Sequence, residues 1–143
     1  MCPWILTLRL NKQKKKMIDV KNISVGDWVK VLDSKAQVRD IRECMRGNEA
    51  EHYIIQTTNG PILDDACEGI PITEEILKRL NCVRLEYENG ESAEFRHPSW
   101  PAIYKHSYSE GWVVCDMIVD YVHELQHVLR LWAGRYDNIE IDL

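Results

Sequence analysis

Asp116-Met117-Ile118-Val119-Asp120-Tyr121-Val122-His123-Glu124-Leu125-Gln126-His127-Val128-Leu129-Arg130-Leu131-Trp132-Ala133-Gly134 carries both the fold class and the one candidate chemistry of this sequence. Its apolar positions recur at helical spacing, so it is predicted to be one long amphipathic helix over 117–133. Asp116 reads as the N-cap and Gly134 as the C-terminal stop. At 1.5 Å per residue such a helix would span roughly 25 Å, enough to cross a small sheet. On a helical wheel Ile118, Tyr121, Val122, Leu125, Val128, Leu129 and Trp132 gather on one broad face, and His123 and His127 fall almost opposite it.

The same stretch contains His123-Glu124-Leu125-Gln126-His127, the letters of the zinc-peptidase helix. That chemistry needs two imidazoles four residues apart on one helical face to hold zinc, and a glutamate to activate a metal-bound water. It also needs a third protein ligand. The long metzincin form is absent, because Arg130 and Ala133 stand where glycine and histidine would be needed. Asp137, Glu140 and Asp142 are downstream candidates, and His97 and His106 are upstream ones. A zinc metallopeptidase with His123 and His127 as metal ligands and Glu124 as general base is therefore the alternative reading, and zinc the alternative cofactor. The leading reading has no catalytic residue, metal or cofactor.

Upstream of this stretch the pattern is mostly β. Val25-Gly26-Asp27 suggests a turn and Trp28 to Leu32 a strand. Val38 and Ile41 mark a second strand, and Tyr53 to Thr57 a third, before Asn59-Gly60-Pro61 breaks the chain. Three short strands entered through V-G-D-W-V are similar to the start of many SH3-like barrels. A short helix follows Pro71, with Thr73 as N-cap, Glu74 and Glu75 in its first turn, and Asn81 at its end. Val83, Leu85 and Tyr87 then alternate into Asn89-Gly90, and Ala93 and Phe95 return as the second arm of a hairpin. Ile103-Tyr104, Trp112 to Val114, and Ile139 with Ile141 are further strand candidates. The expected class is α+β. Residues 1–16 are expected to be a disordered extension, with Met17 as the natural first residue. Residues 17–143 form a single domain, with a β-rich lobe over 17–69 and a helix-hairpin-helix lobe over 70–143.

Composition narrows the function classes. A net charge of −5 provides no overall positive field for phosphates, which argues against general nucleic-acid binding. Lys12, Lys14, Lys15 and Lys16 form the one strongly basic run, read as a solvated face. The five cysteines are odd in number and contain no C-x-x-C pair, so they read as reduced thiols. No apolar run approaches the roughly 20 residues that span a bilayer, and no signal peptide is recognisable at Met1. The expected location is the cytoplasm.

Ile70-Pro71-Ile72-Thr73-Glu74-Glu75-Ile76-Leu77, together with Tyr121 to His127, resembles a family of small uncharacterised proteins common in gut Bacteroidales and their phages. Ile23-Ser24-Val25-Gly26-Asp27-Trp28-Val29-Lys30-Val31 is similar to that family's usual start. Members read I-P-L-T-E-E and V-H-Q-L-Q-N at the first two places. Val122, His123, Leu125 and Gln126 match, whereas Glu124 and His127 depart. The resemblance implies that HELQH is a chance match, and it carries no activity or site residue with it.

Asp64-Asp65 beside a turn reads as solvated, with a divalent cation as the other option. The loop around Trp100, bracketed by Pro98 and Pro101, is the candidate ligand site. Trp100 would stack on a ring, Arg96 and Lys105 would meet phosphate, and His97 and Tyr104 would complete the pocket. The expected function is that of a non-enzymatic binding protein of a phage or mobile element. It would act on a host protein or as a counter-defence sponge for a small nucleotide-derived ligand. A structural homo-oligomeric subunit is the third option.

Overall fold

The computed structural model describes residues 22–46, 49–86, 93–105, 111–134 and 141–143. The chain divides into two compact units, Met1–Gly69 and Ile70–Leu143. Each holds a five-stranded antiparallel sheet, so the class is α+β with β structure dominant. The expected extension over 1–16 and the Asn89-Gly90 turn lie outside the described residues.

In the first unit the strands are β1 (Trp28–Val31), β2 (Ser34–Arg46), β3 (Glu49–Thr57), β4 (Gly60–Leu63) and β5 (Cys67–Glu68). Their order is β4-β3-β2-β1-β5. The V-G-D turn is tied down at both ends. Ser24 N–H donates to the buried Asp27 carboxylate at 2.8 Å. Gly26 N–H donates to the Val38 carbonyl at 2.8 Å, and Val38 N–H to the Asp27 carbonyl at 2.8 Å. Ile23, Val29, Val38, Ile55 and Cys67 form the core. A register shift after Val38 bends the long β2.

The expected break at Asn59-Gly60-Pro61 takes the form of a two-residue hairpin. Thr57 pairs with Gly60, Gly60 has φ 108°, and β4 continues beside β3. Pro61 is accommodated because β4 is the outermost strand, where a missing N–H costs no ladder bond.

The second unit opens with α1 (Glu74–Arg79). Thr73 Oγ1 accepts the Ile76 N–H at 3.2 Å, Glu74 and Glu75 occupy the first turn, and Asn81 takes φ 68° beyond the last. This is the capped helix that the local chemistry predicts. The sheet is a meander of β6 (Val83–Glu86), β7 (Ala93–Arg96), β8 (Ile103–Lys105), β9 (Trp112–Val114) and β10 (Met117–Val119). Its register places Phe95, Ile103, Trp112, Val114 and Val119 on one buried face. Leu85, Glu94, Tyr104, Val113 and Ile118 form a cross-strand row on the other.

The long C-terminal helix is shorter than its periodicity suggests. Helix α2 spans Val122–Ala133, and Met117–Val119 is the last strand. Asp116 is not an N-cap. Cys115 and Asp116 take φ 51° and 62° between the paired Val114 and Met117, so the chain folds back on β9. At 1.5 Å per residue α2 is about 18 Å long. Gly134, at φ 66°, ends it as expected. Ile118 and Trp132, both assigned to the buried side of one helix, are 59% and 52% exposed. Ile141 is buried but belongs to no strand. Ile70–Ile72 straps the entry to α2: Ile72 N–H donates to the Asp120 carbonyl, Val122 N–H to that of Ile70, and Trp112 Nε1 to that of Ile72.

Candidate functional site

Helix α2 starts one residue before His123, so the HELQH letters occupy its first turn and a half. Backbone N–H groups there have no partner within the helix. Glu124 supplies one: its Oε1 accepts the N–H of Asp120 at 3.2 Å and of Tyr121 at 3.1 Å. This is the return arm of a capping box, with glutamate at its third helical position. The carboxylate that a peptidase would aim at a metal-bound water is folded back on the helix entry.

His123 does not lie on a solvent side opposite the apolar face. It is 4% exposed, and Gln126 and Arg130 on the same flank are also buried. The buried arc of α2 is wide enough to take in this polar flank as well as Val122, Leu125 and Leu129. The His123 ring stacks on Tyr121 with centroids 5.8 Å apart, and meets His127 edge-on at 6.1 Å. Among the described residues no three His, Cys, Asp or Glu side chains gather around a point that could hold a metal ion. His106, Asp137 and Glu140 lie outside the described residues.

The β7–β8 loop brings two of the expected ligand residues together. The His97 and Trp100 rings stack with centroids 3.9 Å apart and planes 13° from parallel. Ser99 N–H donates to His97 Nδ1 at 3.0 Å, and Trp100 N–H to the His97 carbonyl at 3.4 Å. Partial burial holds the His97 pKa below its ordinary 6.5, which favours the neutral ring in the stack.

Arg96 immediately precedes this loop. Its side chain is 63% exposed, and Nε donates to Glu94 at 3.0 Å. Glu94, whose side chain is 2% exposed, is a site residue that the candidate set drawn from the sequence lacks. Its i, i+2 relation to Arg96 on a strand was the available signal, since alternation puts both on one face. Tyr104, directly across from Glu94, shares that face and is exposed. Lys105 belongs to the other face: it pairs with Trp112, and its ammonium sits 4.8 Å from the Trp112 ring centroid. The two expected phosphate partners are therefore on opposite sides of the sheet.

At the Asp64-Asp65 turn, Asp64 accepts the Asp65 N–H and faces His52 at 3.7 Å. No helix among the described residues is long and apolar enough to cross a membrane. No family model, curated protein or solved structure matches the chain.

Proposed function

We propose that the protein acts by binding and not by catalysis, and that its ligand is a small nucleotide-derived molecule held at the β7–β8 loop. The observation that carries this reading is the His97–Trp100 stack, fixed by two short-range backbone bonds beside the exposed Arg96. A prealigned aromatic pair suits a planar heterocycle, and a guanidinium suits its phosphate. Glu94 steadies that guanidinium, and Tyr104 adds a further aromatic group on the same face. Lys105 has no part in the site.

The strand order of the first unit, with a 3-10 turn over Asp64–Ala66 before β5, supports reading that unit as an SH3-like barrel. The biological role that goes with this reading is that of an accessory protein of a phage or mobile element. It would serve counter-defence by sequestering a nucleotide signal.

Isothermal titration of the full chain with linear and cyclic nucleotides tests the reading. Loss of base stacking in Trp100→Ala should cost roughly 1–3 kcal/mol, about five- to 150-fold in affinity. Arg96→Ala should cost a similar amount through its charge-assisted bonds, and Lys105→Ala should change nothing. Nucleotide affinity that survives both Trp100→Ala and Arg96→Ala would remove the site, and failure of every nucleotide to bind would remove the ligand class.

A further inference from the structure

Among the described residues, strand β6 ends the second sheet, paired with β7 on one side, and all four of its residues are exposed. Two of them, Val83 and Leu85, are apolar. An unpaired edge of this kind accepts another strand unless its side chains oppose it. Here they select one partner. Arg84 and Glu86 lie on one face of the strand and flank Leu85, which lies on the other.

Consider a second copy of β6 laid antiparallel along the first, related by a two-fold axis perpendicular to the sheet. With the axis at Leu85, each Arg84 stands opposite the second copy's Glu86 and the two Leu85 side chains meet. The neighbouring registers that keep the faces aligned set Arg84 against Arg84, or Glu86 against Glu86. Opposite charges across a strand pair stabilise it and like charges destabilise it. The sequence Val83-Arg84-Leu85-Glu86 is therefore its own complement in a single register. Within one chain Arg84 already reaches Glu74 at 3.2 Å and Glu86 at 3.7 Å, so its guanidinium is held at this edge.

We propose that the protein forms a two-fold dimer through β6, joining two second sheets into one continuous ten-stranded sheet. The partner is a second copy of this chain. Pairing shelters Leu85 and carries the cross-strand row of Leu85, Glu94, Tyr104, Val113 and Ile118 across the axis. An interface four residues long is small, so the dimer is expected to be reversible. This inference stands apart from the ligand reading and needs no ligand.

Sedimentation velocity of the full chain over a concentration series tests it, with Arg84→Glu, Glu86→Arg and the double substitution alongside. Each single change turns both cross-axis pairs into like charges and should weaken the dimer at least about tenfold, whereas the double change restores opposite pairs. Hydrogen exchange at the β6 amides of the unaltered chain gives a second readout: protection should rise with concentration. Recovery in the double variant, with β6 protection following dimer content, supports the proposal. A chain that stays monomeric throughout overturns it. So does a dimer indifferent to either single change, or a double variant no better than the singles.

Discussion

Glu124 is the third residue of α2, and one of its carboxylate oxygens takes the N–H groups of both Asp120 and Tyr121. Glu124→Ala should therefore lower stability by about 1 kcal/mol in urea denaturation. Glu124→Gln should lose less, because its amide oxygen still accepts. A general base would behave differently, leaving stability unchanged while abolishing a hydrolytic activity. The thiols give a second residue-level expectation. Burial, with Glu68 adding to it, pushes Cys67 up to about 12, and burial pushes Cys82 up to about 11, from an ordinary 9.0. Both stay protonated at neutral pH, so alkylation of the folded chain should modify the exposed Cys115 before Cys67 and Cys82, which react only after unfolding. Above pH 9.0 the unfolded chain releases these protons and the folded chain does not. Stability should therefore fall as pH rises from 9.0 through the folded values, seen as a declining denaturation midpoint. His97 works in the opposite direction. Its pKa is depressed, so its contribution is present above 6.5 and lost as pH falls through the folded value, with the Ser99 bond to Nδ1 lost on protonation. Trp100 fluorescence should report that loss; a signal flat through this range would mean the stack does not depend on a neutral ring.

At the scale of elements, α1 and β10 show what local chemistry can and cannot announce. Thr73, Glu74, Glu75 and Asn81 each act within one helical turn of their own position, so the sequence displays both ends of α1 directly. Met117–Val119 carries no such mark. Three apolar residues in a row fit the start of an amphipathic helix as well as a short buried strand. The fold settles the matter at Cys115 and Asp116, whose left-handed backbone is the hairpin geometry normally signalled by Asn-Gly or Asp-Gly. A cysteine in that position gives no such signal. The β1–β2 hairpin turns through a single such residue, Leu32, which has φ 55° and is 84% exposed. A leucine there bears the left-handed penalty and has little packing to offset it, so Leu32→Asn should raise stability by about 1 kcal/mol. Thermal unfolding measures this directly. A loss of stability on substitution would show that Leu32 is packed in solution.

For the whole molecule, the two sheets differ in how much of their arrangement the sequence could carry. Alternation fixes which residues share a face within one strand, but that parity is lost through an irregular loop. Arg96 and Lys105 lie on either side of His97 to Ala102, and their assignment to opposite faces emerges only from the Glu94–Tyr104 and Lys105–Trp112 pairings. The Trp100 loop is legible locally, because two prolines in a short span exclude a continuous ladder. The same separation of local from long-range information governs the cores. Ile23, Val29, Val38, Ile55 and Cys67 form a cluster drawn wholly from the first unit. Ile55 is completely buried within it, so Ile55→Ala should cost about 2–5 kcal/mol. Because every neighbour in that cluster belongs to the first unit, native-state hydrogen exchange should show the lost protection concentrated in β1 to β4. Phe95→Ala, which empties a buried position of the second sheet, should cost about 3–5 kcal/mol and move the loss to β7, β8 and β9. Equal loss of protection in both sheets after either substitution would show that the two cores open together.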